Sequence, residues 1–274
     1  MSTTSRTSHV LSKNIELIKK SSSHWELILN RPDKYNAITS DMYDGITQIL
    51  NEAAKDEELV LLSMTGKGKF YSSGTDLSDP AKAFTSAPDD LEVVMEQAIT
   101  RLKDFIESFI NFPKILIAFI NGPAIGISVT TLGLFDGVYA SSSSTFALPF
   151  TRTAQSAEGC SSYTFPSLMG SLRAKEILLF DRELNVQEAQ QRGLVTQVIE
   201  ENVFEQEKQK ICQQILSLPK GSLLAGKALI QKWNIDQLKQ VNVEELNTLK
   251  QRWTTDEFIE AITNFMSTRK RSKL

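Results

Sequence analysis

The chain has 274 residues, 41% hydrophobic and 23% charged, with a net charge of −3. This length suits one large or two small domains with a substantial core, and the balance excludes a disordered or fibrous chain. The charge gives no footing for nucleic acid as a partner. The two cysteines, Cys160 and Cys212, form no paired metal or redox spacing and fit a reducing compartment. With only His9 and His24 as histidines, a His-based triad or a multi-histidine zinc site is disfavoured.

Residues 1–12 read as a flexible arm, and Met1 to Ser8 lacks the apolar core of a secretory signal. Asn14 to Lys19 and Trp25 to Leu29, broken by Ser21-Ser22-Ser23, predict a β-hairpin. Arg31 to Ala37 is rich in turn formers. Thr39 or Ser40 caps a predicted helix whose Met42, Ile46, Ile49, Leu50 and Ala53 recur at helical period. A buried strand follows at 59–64, then a loop from Ser78 to Asp89 with Pro80 and Pro88, which could serve as a lid. The pattern continues with a long helix over 91–110, a strand at 114–120 and a helix over 128–135. Short strands are predicted near 136–140 and 145–148. This alternation predicts an α/β core. From Cys160 on, the pattern is helical at 160–169, 171–180, 186–192, 201–217, 221–233 and 241–266, with one strand at 195–199. No apolar stretch reaches the ~20 residues of a membrane span. The sequence closes on Ser272-Lys273-Leu274, the tripeptide read by a peroxisomal import receptor, behind the basic run Arg269-Lys270-Arg271.

Two turns stand just past apolar strands: Tyr71-Ser72-Ser73-Gly74-Thr75-Asp76-Leu77 and Asn121-Gly122-Pro123-Ala124-Ile125-Gly126-Ile127. Glycine at such a place permits angles that other residues resist and lets a ligand come close. Gly126-Ile127 opens a helix, where free N–H groups and the dipole favour negative charge, and the first turn offers the N–H of Thr75. Together they could aim two N–H groups at one oxygen. Each alone reads better as a strand-end turn without a ligand, and the two together leave both readings equally open. Glu158, in Ala154-Gln155-Ser156-Ala157-Glu158-Gly159-Cys160-Ser161-Ser162, precedes a helix. It either serves that helix's dipole or, facing an apolar pocket, becomes a base with a raised pKa; the residues leave both open. Asp76, Asp79 and Asp136 read as turn formers and caps. Cys160 reads as a packing residue, because no histidine is placed to activate it.

With Leu29-Asn30-Arg31-Pro32-Asp33-Lys34-Tyr35-Asn36-Ala37 and Ala189-Gln190-Gln191-Arg192-Gly193-Leu194-Val195, the two turns resemble the crotonase superfamily, the enoyl-CoA hydratase/isomerase fold, across most of 14–200. The resemblance implies a spiral of ββα units with a helical C-terminal region, assembled as trimers or dimers of trimers. It implies that the N–H groups of Thr75 and Ile127 hold a thioester oxygen. Asn36, Ala37, Ser73, Gly74, Asp76 and Leu77 would border an acyl-CoA substrate, with Gly126 and Phe150 as further contacts. CoA is part of that substrate, so no separate cofactor and no metal is expected. The chain then divides into the arm 1–12, a core over 13–200 with the active site, a C-terminal helical region over 201–271 for oligomerisation or site cover, and the targeting tripeptide 272–274.

Departures from the family pattern point to the reaction. Hydratases of the family carry two glutamates that hold a water, and their positions match Thr130 and Phe150 here. Dienoyl-CoA isomerases keep an acid at the Phe150 position and another near Glu158. A lone glutamate in this context, with terminal Ser-Lys-Leu, resembles the peroxisomal 3-enoyl-CoA to 2-enoyl-CoA isomerases. The expected activity is a double-bond shift from 3-enoyl-CoA to trans-2-enoyl-CoA in β-oxidation of unsaturated fatty acids, with Glu158 as the only base. The alternatives are an enoyl-CoA hydratase, a dienoyl-CoA isomerase, or a non-catalytic acyl-CoA binding or scaffold protein.

Overall fold

The computed structural model describes residues 8–77 and 88–271. Most of the predicted 78–89 loop, Asp79 included, and Ser272-Lys273-Leu274 therefore lie outside the described residues. The chain opens with strands β1 (Ser8–Ser12), β2 (Ile15–Ser21) and β3 (His24–Leu29), followed by helix α1 (Ser40–Lys55) and strand β4 (Leu61–Gly66). Helix α2 (Pro88–Ile110) leads to β5 (Ile115–Ile120), the two-residue β6 (Ala124–Ile125) and the single turn α3 (Ile127–Thr130). Then come β7 (Gly137–Ser141), β8 (Thr145–Ala147), α4 (Ser161–Met169), α5 (Ser171–Leu178), β9 (Leu184–Asn185), α6 (Val186–Gln191) and β10 (Gln197–Ile199). Helices α7 (Phe204–Leu216), α8 (Lys220–Gln231), α9 (Ile235–Trp253) and α10 (Asp256–Arg271) complete the described chain.

Seven strands form one sheet in the order β1-β2-β3-β4-β5-β7-β10, antiparallel from β1 to β3 and parallel from β3 onward. A second sheet orders β6-β8-β9. Helices cover both faces of the large sheet, which is why β4 and β5 read as unbroken apolar runs. Leu62, Met64 and Leu116 pack on Ile46, Ile49 and Leu50 of α1 and on Phe105, Ile106 and Phe109 of α2. Alternate residues Leu61, Ile115, Ile117 and Phe119 meet Phe204, Ile211 and Cys212 of α7 on the other face. A further core joins Ala118 and Ile120 to the small sheet and to α4, α5 and α6, through Phe146, Phe165, Ile177 and Leu184.

Several elements differ from the sequence reading for identifiable reasons. Ser8 to Ser12, expected to be part of a flexible arm, pairs with β2 as an edge strand, Ser8 opposite Ile18 and Ser12 opposite Ile15. Pro88 and Asp89, expected in the loop, begin α2; proline suits a first helical position because its missing N–H has no partner there anyway. The helix expected over 128–135 is one α-turn followed by a 3-10 turn at Thr131–Leu134. Its hydroxyls compete with the helical ladder: Thr130 and Thr131 Oγ1 both donate to the Ile127 carbonyl, at 3.2 and 2.8 Å. The helix expected over 241–266 breaks at Thr254–Thr255. There the Thr255 hydroxyl donates to Arg252 O (2.8 Å) and accepts the Phe258 N–H (3.3 Å), capping α10.

Candidate active site

The ends of β4 and β5 bring the two glycine turns into contact. Ser72 bridges to Ala124, with Ile125 N donating to Ser72 O at 2.9 Å, and the Ser128 hydroxyl also donates to Ser72 O at 3.2 Å. Gly74 has φ +79° and lies so close to the second turn that a Cβ there would sit 2.6 Å from the Ile125 carbonyl. Only glycine fits both constraints. Gly126 has φ +62°, and its N–H donates to Ala147 O at 2.9 Å, which ties the turn to β8.

On both sides of Thr75 the backbone is committed: Ile38 N donates to Gly74 O and Asp76 N to Ile38 O, each at 2.8 Å. The Thr75 N–H itself, and that of Ile127 in the opening turn of α3, have no partner among the described residues. First-turn helical N–H groups are unpaired by construction. Here one of them comes next to a second unpaired donor from the turn that packs against it.

Both donors open into a cavity of about 650 Å³. Of the residues expected to bind substrate, Ser73, Gly74, Thr75, Asp76, Leu77, Gly126, Ile127 and Phe150 line it, and so does Glu158. Asn36 and Ala37 do not. Asn36 is fully buried, and its side-chain amide donates to the carbonyls of Lys67, Phe70 and Tyr71 while its oxygen accepts the Arg31 N–H at 2.8 Å. Ala37 O accepts from Arg31 Nη1 at 3.1 Å, and the same nitrogen pairs with Asp76 at 2.6 Å. This loop therefore holds the first turn in place from behind instead of lining the cavity. Having no free polar group left, Asn36 acts as a fastener.

Glu158 is only 6% exposed. Burial, then the charge of Glu245, push its carboxyl from 4.5 up to about 8, against a smaller opposing effect from a Thr130 side-chain hydrogen bond. Glu158 therefore sits at a polarity boundary that raises basicity, rather than serving as a solvated dipole partner. Gly159 (φ +69°) and Cys160 (φ +61°) follow it in left-handed conformation, and a Cβ on Gly159 would lie 2.5 Å from Thr130 Oγ1. Thr130 thus packs directly against the Glu158 turn. Cys160 is buried, and its thiol is pushed well above the ordinary range, first by burial. His24 lies on β3, bonded to Ser63 Oγ at 2.9 Å, and its imidazole is pushed down to about 4, first by burial.

The chain over residues 19–272 matches the family model described as enoyl-CoA hydratase/isomerase. It belongs to the enoyl-CoA hydratase/isomerase family. A rat protein named enoyl-CoA delta isomerase 2 is 46% identical over 88% of this chain. The chain spans 61% of the length of that relative. A mouse protein named enoyl-CoA delta isomerase 3, peroxisomal, is 38% identical over 91% of this chain and 77% of its own. The crystal structure of an enoyl-CoA hydratase/isomerase from Pseudoalteromonas atlantica superposes with a TM-score of 0.82 at 28% identity, covering 93% of this chain and 98% of that one. The fold is the crotonase type, with a helical C-terminal region.

In this member of the family, the rest of the cavity comes from helices distant in sequence, which the motifs did not flag. Tyr43 of α1 lines it and its hydroxyl lies 2.7 Å from Thr75 Oγ1. Met95 and Leu102 of α2, Leu249 and Trp253 of α9, and Phe258 and Ile262 of α10 supply apolar wall. Phe258, Ile262, Leu77 and Ala154 also form a small core of their own, so α10 seals one side of the cavity. Tyr43 was within reach of sequence reasoning, one residue along from Met42 on the buried face of α1. The α9 and α10 residues carry no local signal.

Proposed function

We propose that the protein shifts the double bond of 3-enoyl-CoA to give trans-2-enoyl-CoA, with Glu158 as the only base. The observation that carries this is a single buried carboxyl, made more basic by its surroundings, sharing an apolar cavity with two unpaired N–H groups. In the forward step Glu158 takes the proton from C2, and the C2 electron pair delocalises over the thioester and the double bond as a dienolate. The negative charge on the thioester oxygen is held by the N–H groups of Thr75 and Ile127. Each such donor typically lowers the barrier by about 3 kcal/mol. Glu158 then returns the proton at C4 and the double bond comes to rest between C2 and C3. The step is redox-neutral and needs neither an added cofactor nor a metal.

The family's hydratase reading is disfavoured because Thr130 and Phe150 stand where hydratases place their two glutamates. Phe150 is buried at the cavity wall and offers nothing to orient a water. The same absence at Phe150 disfavours a dienoyl-CoA isomerase. A non-catalytic acyl-CoA binder would have no need of a carboxyl buried at a cost in an apolar pocket.

Turnover of 3-enoyl-CoA by Glu158→Gln tests the assignment. We expect a folded protein with a loss of about 10²–10⁴ in kcat, the usual contribution of a general base. A variant that keeps a large part of wild-type turnover removes Glu158 from the mechanism. Wild-type protein is also expected to hydrate 2-enoyl-CoA poorly, and robust 3-hydroxyacyl-CoA formation would favour the hydratase.

We also propose location in the peroxisomal matrix, delivered by Ser272-Lys273-Leu274. The mouse relative named as peroxisomal supports it. Loss of peroxisomal targeting on deleting these three residues is the check. A homotrimer or homohexamer is proposed in addition, because Leu172, Phe180, Leu229, Ile230 and Trp233 are large apolar side chains standing exposed on one protomer. A monomer by light scattering would refute it.

A further inference from the structure

Glu245 on α9 is a buried carboxylate that the proposed reaction does not use, and it reaches across the fold to the base. Its Oε2 accepts the Cys160 N–H at 2.7 Å and its Oε1 accepts the Ser162 N–H at 2.8 Å. These are amides at the start of α4, a helix whose own cap residue, Cys160, makes no side-chain cap bond. A cap is therefore brought in from 85 residues away. The same helix grips the segment a second time, through the Cys160 thiol, which donates to Leu238 O at 3.4 Å. Between base and clamp lie Gly159 and Cys160, both at positive φ. A non-glycine residue holds that conformation only where its surroundings over-determine it.

We propose that Glu245 is a positioning residue for Glu158: its carboxylate fixes the backbone that aims the base into the cavity and keeps a negative charge behind it. The proposal rests on the reading of Glu158 as the base. Burial pushes the Glu245 carboxyl up from its ordinary range, but the Cys160 and Ser162 N–H groups oppose that shift, and Glu158 has no such amide donors among the described residues, so Glu245 is the first of the two to ionise. The other groups facing this pair are Tyr43 on α1 and Cys160 on the same segment, both held uncharged by burial. On α2, which packs along α9, Glu96 is paired with Lys250, Arg101 with Asp44 and Lys103 with Glu107. At the cavity mouth Arg152 is paired with Asp181, and Glu183 also lines the cavity. The charge of Glu245 acts on Glu158 and raises its carboxyl further, after burial.

The test is the pH profile of kcat/KM for 3-enoyl-CoA in Glu245→Gln and Glu245→Asp, beside Glu158→Gln. The carboxamide oxygen replaces the charge and can serve only one of the two amides. Glu245→Gln is expected to lose at least tenfold in kcat with KM little changed, and its acid limb should move to lower pH than that of wild type. Glu245→Asp, which keeps the charge on a shorter arm, is expected to return the limb to the wild-type position while kcat stays reduced. An unmoved limb in Glu245→Gln, alongside an inactive Glu158→Gln, overturns this proposal and leaves the base assignment standing. An active Glu158→Gln instead overturns the base assignment. If Glu245→Gln does not fold by circular dichroism, Glu245→Asp decides: wild-type kcat there refutes the clamp, and a reduced kcat with an unmoved limb supports it.

Discussion

Replacing Glu158 by glutamine deletes one titrating proton from the cavity while nearly preserving its volume, so it isolates the energetic cost of that carboxyl. Burial and the Glu245 charge raise it from 4.5 to about 8. Each factor of ten in proton affinity is worth ~1.4 kcal/mol, so this interval corresponds to about 5 kcal/mol. The sign follows from which state holds the proton. Between pH 4.5 and about 8 the folded protein keeps a proton that the unfolded chain has released. This contribution to stability is therefore fully present below 4.5 and is lost as pH rises to about 8. The assay is urea unfolding of both proteins at a series of pH values across that window. The gap between the two unfolding free energies at the acid end absorbs whatever the buried amide itself costs. Moving to the alkaline end, Glu158→Gln is expected to gain on wild type by up to about 5 kcal/mol. Parallel curves would refute the reasoning, since they would mean that the carboxyl titrates alike in both states and is not desolvated.

Three further outcomes are expected. Gly74→Ala must fit a Cβ where the Ile125 carbonyl stands 2.6 Å away, at φ +79°, so the two turns separate and kcat drops by about 10²–10³, as when an oxyanion donor is lost; steady-state kinetics with a folded variant checks it. Tyr43→Phe removes the 2.7 Å hydrogen bond to Thr75 Oγ1, worth ~1 kcal/mol, and should lower kcat/KM by roughly fivefold without unfolding the protein. Phe258→Ala opens the small core between α10 and the Leu77 turn, with an expected cost of about 3 kcal/mol in urea unfolding and a raised KM.

Legibility of the fold followed the range of the forces involved. α1 could be read to within a residue, because the Thr39 cap and the Met42, Ile46, Ile49, Leu50, Ala53 stripe are local. β4 and β5 were legible for the same reason, as apolar runs bounded by turn formers. The two turns were visible as glycines after strands, but their contact depends on neighbouring strands ending together, which no local pattern encodes. Asn36, read as a substrate contact, does not line the cavity; its motif marks it as special without saying why. Its role is fastening three carbonyls, and that geometry exists only once Lys67, Phe70 and Tyr71 have folded over it. Glu245 was invisible, a glutamate in a polar helical run whose partners lie 83 and 85 residues back. The split between α9 and α10 turned on the hydroxyl of Thr255, a choice of side-chain hydrogen bonding that periodicity does not report.

The placement of charge around Glu158 separates two tasks that a pair of carboxylates in a cavity would combine. Two neighbouring acids raise each other's pKa and also hold a water between them, so a strong base made that way comes with a nucleophile ready to add. Here Thr130, which carries no charge, packs against the Glu158 turn, and Phe150 lines the cavity. Basicity comes instead from burial and from Glu245, whose oxygens are held by the Cys160 and Ser162 amides on the far side of the turn. A base strengthened from behind, facing an apolar wall, can accept and return a proton without supplying a hydroxyl to the substrate. On the proposed assignment of Glu158 as the base, that arrangement would favour moving a double bond over hydrating it, and the choice of reaction would lie in the shell around Glu158 rather than in the two N–H groups, which serve any thioester enolate equally.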